Sequence, residues 1–341
     1  MSEFKLSRRE LIGIAAGDAA TLAMPHIARA ADPITLRVSS SAPPDKFGAH
    51  YLWYQPFEAK LKELAGDKIK LDYFPNAQLG KEADVVNQVK AGSVDMMLTG
   101  ASIWATVVPE FGMLDLGFLF NSYDHCSRAL DAGVGAAYDK MLADRTGVTI
   151  LGWGFQVGAR SIYTKKPIAS VKELAGVKLR VLPTKAFIDT FNLIGATPTP
   201  IPINELYTAV QTGVVDGFEH DPGTVLAYKL FEVTKFGFLT RHVYTPMLAY
   251  IGKRGLAKIP ADLTEPFKQA AAYATKTSRA EVKDVEAEAV ADLKTKGITL
   301  TEAPADEIAA LKAKMAETLY PAYRKQYPAT EPLYAQVKAT A

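Results

Sequence analysis

Two arginines, Arg160 and Arg180, and the run Glu219-His220-Asp221 are the residues of this chain whose types and spacing bear on chemistry. Arg180 lies in Gly176-Val177-Lys178-Leu179-Arg180-Val181-Leu182-Pro183-Thr184, which reads as a strand running into a helix, with the arginine at the strand's carboxyl end. In open α/β sheets that edge borders the ligand crevice. A guanidinium presents a planar fork of donors that fits a carboxylate through two parallel hydrogen bonds. A structural ion pair would use an arginine in the same place, and position alone does not separate the two roles. Arg160 comes after a glycine-punctuated, strand-like run, Trp153-Gly154-Phe155-Gln156-Val157-Gly158-Ala159. Taken by itself it reads as structural.

The segment Val215–Thr224 packs Glu219, His220 and Asp221 at the end of a strand and ahead of a helix. Three chemistries suit it: a metal site, an acid/base pair, or hydroxyl-binding groups for a polar ligand. Strand alternation puts Glu219 with Asp221 and Phe218 with His220, so at most one pair faces a crevice. Asp221 also has a structural role open to it, as N-cap of a helix with Pro222 at its first position. His220 is then the stronger ligand candidate. Gly152-x-Gly154-x-x-x-Gly158, with Glu173 beyond it, has the outline of a dinucleotide fingerprint, but the chain after Gly158 alternates as a strand into Pro167. No helix N-terminus is available there for a pyrophosphate. The serine-hydrolase elbow, the H-E-x-x-H zinc motif and the phosphate-binding loop are all missing.

These residues need elements to hold them. Ile34–Ser39 reads as a strand, Asp45–Ala65 as a helix, Lys68–Phe74 as a strand, Lys81–Ala91 as a helix ending at Gly92, and Val94–Leu98 as a strand. The same order recurs with strands at Val177–Val181, Thr197–Pro200 and Val214–Phe218 and helices at Thr184–Ile194 and Ile203–Thr212. Two such α/β units imply two lobes, each built on a mostly parallel sheet with right-handed crossovers. Beyond Pro260, the residues Phe267, Ala271, Ala274, Ser278, Val282, Val285, Ala289 and Leu293 fall on one face of a single helix over 261–296. At 1.5 Å per residue it is on the order of 50 Å long, enough to brace both lobes. Among the aromatics near the strand ends, Trp104 and Phe187 are candidates to wall a pocket, and Ser40, just past the first strand, joins the candidate set.

The chain has 341 residues, 48% hydrophobic and 22% charged, with a net charge of +2. That is globular composition with no electrostatic reason to expect nucleic acid, and no stretch beyond the N-terminus suits a bilayer span. Residues 1–31 read as an export signal: Ser7-Arg8-Arg9-Glu10-Leu11-Ile12 is a twin-arginine pattern, succeeded by an apolar run and Ala28-Arg29-Ala30 as a small-x-small cleavage site. An exported protein whose one thiol is Cys126 must draw its stability from a hydrophobic core rather than disulfides.

A wider set of segments resembles a known family. It comprises Pro75-Asn76-Ala77-Gln78-Leu79-Gly80 with Glu82, then Val89-Lys90-Ala91-Gly92-Ser93-Val94-Asp95-Met96, Gly152-Trp153 through Arg160, Gly176–Val181, and Ala209-Val210-Gln211-Thr212-Gly213-Val214-Val215-Asp216-Gly217-x-Glu219. In this order and spacing they resemble the solute receptors of tripartite ATP-independent periplasmic (TRAP) transporters, the C4-dicarboxylate-receptor-like group. The resemblance implies a periplasmic, non-enzymatic receptor of two α/β lobes, closing on a small organic acid and handing it to TRAP permease subunits in the membrane. It makes Arg180 the clamp on the ligand carboxylate and Arg160 the second cleft arginine. The residue after the motif glutamate is often Asn or Trp in relatives; here it is His220, which suggests a sugar acid or an aromatic acid. Some relatives use a bound cation beside an acidic residue, and Glu219 or Asp221 could serve, but the reading assigns no metal and no cofactor. The ligand-binding set is therefore Arg180, Arg160, His220, Glu219, Trp104, Phe187 and Ser40. The lobes are expected over 32–157 plus about 245–280, and over 158–244 plus about 281–341, with helix 261–296 bracing both. A periplasmic enzyme working on organic acids through His220 with Glu219 or Asp221 is the alternative.

Overall fold

The computed structural model describes residues 33–341, apart from the side chains of residues 155–157. The export signal expected over 1–31 lies outside the described residues.

In chain order the elements are β1 (Ile34–Ser40), α1 (Ala49–Ala65), β2 (Ile69–Phe74), α2 (Glu82–Ala91), β3 (Met96–Gly100), α3 (Tyr123–Ala129), α4 (Gly135–Thr146) and β4 (Thr149–Thr164). Then come β5 (Lys178–Val181), α5 (Lys185–Ile194), β6 (Thr197–Pro200), α6 (Ile203–Gln211), β7 (Gly217–His220), α7 (Pro222–Ala227) and β8 (Phe236–Ile251). The chain finishes with α8 (Lys253–Ala257), α9 (Ala261–Thr295), β9 (Thr299–Glu302), α10 (Ala305–Lys314), α11 (Tyr320–Gln326) and α12 (Glu331–Ala339).

The strands form one sheet in the order β2-β1-β3-β8-β4-β7-β5-β6, with β9 beside β8. Its two ends are parallel: β1 with β2 and β3 on one side, and β5 with β6 and β7 on the other. Between them run the two long strands β4 and β8, paired antiparallel from Thr149↔Ile251 to Thr164↔Phe236. The mixed α/β architecture with a mostly parallel sheet is as expected, but the strand-like runs before and after Gly158 turn out to be one long strand of a central antiparallel ladder. β8 has no counterpart among the expected elements. Its sequence, FGFLTRHVYTPMLAYI, is buried along most of its length, so the polar/apolar alternation that reveals a half-exposed strand is absent. Arg160 sits at an irregular stretch of this ladder, where the register shifts between Val157/Ala159 and again between Arg160/Ile162. The dinucleotide alternative fails here, because Gly152, Gly154 and Gly158 all lie within β4 and no helix opens after them.

α9 runs unbroken over 35 residues, matching the length of the apolar stripe. Its first half packs Phe267, Ala270, Ala271 and Ala274 with Trp53 and Phe57 of α1, the rings of Phe57 and Phe267 meeting edge-on at 5.3 Å. Its second half packs Ala289 and Leu293 with Tyr163, Leu206 and Phe218. Alanine at most of the contact positions lets the helix approach closely. Cys126 is buried in the largest core cluster.

Candidate functional site

The carboxyl ends of strands from both ends of the sheet face one another across a cleft. Ser41 comes directly after β1, Gly100 closes β3, Leu182 comes directly after β5 and His220 closes β7, and all four line the same cavity with Arg160 and Arg180. The crossing strand β8 supplies Thr245 and Met247, the first turns of α1 and α2 supply His50 and Glu82, and Tyr228 comes directly after α7. About 510 Å³ of space lies unfilled here, some of it at the open mouth. Burial of polar and charged side chains at facing strand ends is what a ligand site in an open α/β sheet requires.

Arg160 and Arg180 differ in one decisive respect. Arg160 is held by Glu219, Nε donating to Oε2 at 2.6 Å and an η nitrogen to Oε1 at 2.7 Å, with both side chains essentially enclosed. The pairing comes from register, since Ile162 of β4 stands opposite Glu219 of β7 two residues along from Arg160. Burial alone would raise the Glu219 pKa, but Arg160 and a contact from His242 more than offset this and hold it at about 2. The guanidinium of Arg160 also lies 5.0 Å from the centre of the Phe187 ring. Arg180 is 1% exposed, and among the described residues no carboxylate is bonded to it, although Glu219 and Glu82 act on its charge from a distance. Its Nε donates to the Ile201 carbonyl at 2.7 Å, and its Nη1 is buried without a hydrogen-bond partner among the described residues. Burial pulls its pKa down to about 10, the response of a cation short of counter-charge.

His220 presents its ring to the cavity while its Nδ1 stands 2.7 Å from Asp221 Oδ2. The Asp221 amide also points at Nδ1, at 3.1 Å, and the two contacts ask opposite roles of that nitrogen. The shorter bond to a charged carboxylate, which can only accept, outweighs the amide, places the proton on Nδ1 and leaves Nε2 as an acceptor. Burial, then Arg160, lowers the His220 pKa to about 4, and the ring is neutral. Asp221 caps α7 as well, its Oδ1 accepting from the Thr224 amide at 2.9 Å with Pro222 at the first helical position. His50 is neutral too: burial, then proximity to His220, lowers it to about 3. Its Nδ1 lies 2.7 Å from Ser40 Oγ. Glu82 is fixed by hydroxyls donated to its Oε1 from Ser41 at 3.0 Å and Thr99 at 2.6 Å, neither of which engages Oε2. Tyr228 donates to the Ser41 carbonyl at 2.8 Å and so ties α7 to the loop after β1.

Of the seven residues singled out in the sequence, Arg160, Arg180 and His220 line the cavity together. Glu219 stands behind Arg160, Phe187 packs against the same guanidinium, and Ser40 backs His50. Trp104 is in the core, its ring 4.9 Å from Tyr250. The lining residues His50, Thr245 and Tyr228 carry no signal in the sequence: His50 opens an ordinary amphipathic helix, and Thr245 belongs to the strand without alternation. Glu82 appears there only as part of a family-like segment. Among the described residues no group of three His, Cys, Asp or Glu side chains is placed to hold a metal ion, and no helix is long and apolar enough to cross a membrane.

Comparison with known proteins places this geometry. Residues 40–326 match the DctP model, described as bacterial extracellular solute-binding protein, family 7. A solute-binding protein of Roseobacter denitrificans is 30% identical over 274 residues, covering 80% of this chain and 82% of the relative. The crystal structure of a sugar acid binding protein from Advenella mimigardefordensis in complex with galactonate superposes with a TM-score of 0.85 at 25% identity, covering 91% of this chain and 99% of that one. A TRAP periplasmic solute-binding protein from Roseobacter denitrificans with bound β-D-glucuronate gives 0.83 at 27% identity, over 90% of this chain and 100% of that one. The matched family and both solved neighbours are solute-binding proteins, not enzymes.

Proposed function

The chain belongs to the DctP family of bacterial extracellular solute-binding proteins that serve TRAP transporters, and from that premise we propose that it is a periplasmic receptor for a sugar acid, which it delivers to membrane permease subunits. One observation carries the ligand class: a buried guanidinium, Arg180, with a nitrogen that has no hydrogen-bond partner among the described residues, lines a cavity together with hydroxyls, neutral imidazoles and a carboxylate. A ligand carboxylate supplies the missing counter-charge through charge-assisted bonds worth about 1.5–3 kcal/mol each. Arg160, already neutralised by Glu219, is the second donor of the clamp and is oriented by that pair. Around the carboxylate, Glu82 and His220 Nε2 accept from ligand hydroxyls, a pattern that suits a polyol acid better than an aromatic one. The solved relatives with galactonate and glucuronate bound agree with this chemistry.

The two ends of the sheet act as lobes in this reading, 32–157 with about 245–280 and 158–244 with about 281–341. A ligand touching strand ends from both favours the closed arrangement by its differential affinity. A thermal-shift screen of the signal-free protein against sugar acids, aromatic acids, keto acids and C4-dicarboxylates tests the proposal. A binder at about 100 times its Kd adds about 2.7 kcal/mol of stability. A shift confined to sugar acids is the expected result; a shift with aromatic acids alone, or with no acid from ligand-free protein, overturns it.

A further inference from the structure

Charge in the cleft is unevenly matched, and the mismatch narrows the ligand further. Among the described residues lining the cavity, the charged side chains are Arg160, Arg180 and Glu82. Arg160 has its counter-charge in Glu219, and Asp221 stands as a further carboxylate behind His220. Neither lining histidine contributes charge, since burial holds both neutral. Arg180 is thus the cation left without a bonded carboxylate among the described residues, with Glu82 near enough to act on its charge, and it can take up one incoming carboxylate.

We infer that the cleft takes a hydroxylated monocarboxylate and rejects the corresponding dicarboxylate, with Glu82 as the residue that excludes the second carboxylate. The inference rests on the sugar-acid reading and goes beyond it by fixing the charge of the ligand. Glu82 suits the role because it is built in: the Ser41 and Thr99 hydroxyls both donate to Oε1, one from the loop after β1 and one from β3, so the carboxylate cannot swing aside without losing two bonds. A hydroxyl arriving at Oε2 donates to it. A carboxylate arriving there meets fixed negative charge, finds no unpaired cation among the lining residues, and gives up its hydration for nothing. The same charge imbalance separates this chain from a receptor for C4-dicarboxylates, which must hold two carboxylates at once.

The test uses matched pairs of open-chain acids that differ only in oxidation of the far terminal carbon: galactonate against galactarate, and gluconate against glucarate. Titration calorimetry on the signal-free protein should give at least about tenfold tighter binding of the monocarboxylate in each pair that binds, the size of one unfavourable charge contact of about 1.4 kcal/mol. Glu82→Gln keeps the shape and removes the charge, so the ratio within a pair should fall to about threefold or less, whatever happens to affinity overall. Taking the ratio within one variant cancels any general loss of folding or binding. Equal or tighter binding of the dicarboxylate by the unmodified protein overturns the inference while leaving the sugar-acid reading intact. A ratio unmoved by Glu82→Gln removes Glu82 from the role. Failure of all four acids to bind overturns both readings together.

Discussion

Glu219 grips Arg160 through two side-chain hydrogen bonds of 2.6 and 2.7 Å, and neither side chain is more than 2% exposed. A charge pair so deeply enclosed contributes little relative to a well-packed apolar pair, yet removing one partner strands the other in the interior. Glu219→Gln would leave Arg160 and Arg180 together in the same cleft without a carboxylate bonded to either. The expected loss is about 3–5 kcal/mol in the free energy of urea unfolding of the ligand-free protein. A loss under about 1 kcal/mol, the range of an exposed pair, would mean that solvent reaches the site far more freely than this packing allows.

Arg180 presents the opposite case, a buried cation with a nitrogen that has no partner among the described residues. Such a group costs stability in the empty receptor and returns it on binding, which ties function to a local destabilisation. Arg180→Met should therefore raise the melting temperature of the ligand-free protein while weakening carboxylate binding by about 2–5 kcal/mol. Differential scanning calorimetry of the empty variant, paired with titration of the bound acid, reads both quantities. A variant that melts lower and still binds as tightly as the parent would show Arg180 to be a structural residue.

Much of this arrangement is open to reading from the sequence, and the reasons differ by element. α9 announces itself because one face of a long helix repeats at 3.6 residues, and the expected stripe is buried from Phe267 to Leu293 apart from a half-buried Val285. Arg180 and His220 can be placed because each ends a short strand of a βαβ unit, and such ends gather at the crevice. β8 escapes because its burial on both faces erases alternation, and with it go Thr245 and Met247 on the cavity wall. The Arg160–Glu219 pair depends on β4 and β7 lying side by side, 59 residues apart in the chain, which no local pattern encodes. His50 reaches the site only because the first turn of α1 is folded against the end of β1, where its ring meets Ser40 Oγ, a tertiary fact with no trace in its own segment.

Stability should fall as the medium is acidified from neutrality. His50 and His220 are pushed down to about 3 and about 4, chiefly by burial, while the unfolded chain protonates its histidines near about 6.5. Their neutral forms support the fold above that value, and the support is lost as pH falls from about 6.5 toward 4, with a slope of up to about 1.4 kcal/mol per pH unit for each ring. His242, also lowered by burial, acts in the same direction. Asp115 acts the other way. Burial raises it to about 6, so its contribution is present below the unfolded value of about 3.9 and fades as pH rises through 6. Urea unfolding between pH 4.5 and 7.5 should show falling stability toward acid, and Asp115→Asn should make that fall steeper. A flat profile, or a shallower one in the variant, would contradict the burial of these groups.

Gly158 gives the sharpest test of how backbone packing sets the ligand wall. It lies on β4 two residues before Arg160, and a methyl group there would come within 2.5 Å of Asp221 Cβ and 3.4 Å of its carboxyl carbon. The first distance is shorter than real methyl contacts, and Asp221 Cβ is too close to the backbone to swing away. Asp221 must shift bodily, and it carries two duties: it caps α7 through the Thr224 amide and it takes the Nδ1 proton of His220. Gly158→Ala should thus cost about 1–3 kcal/mol of stability by overpacking, a size out of proportion to one methyl on a strand. It should also weaken sugar-acid binding, because a displaced Asp221 no longer fixes the tautomer that leaves Nε2 as an acceptor in the cavity. Ala159→Gly, one position along the same strand, is the control for general weakening of β4, with its cost confined to about 1 kcal/mol and less effect on affinity. If both variants lose binding equally, the contact with Asp221 is not what orders the His220 wall.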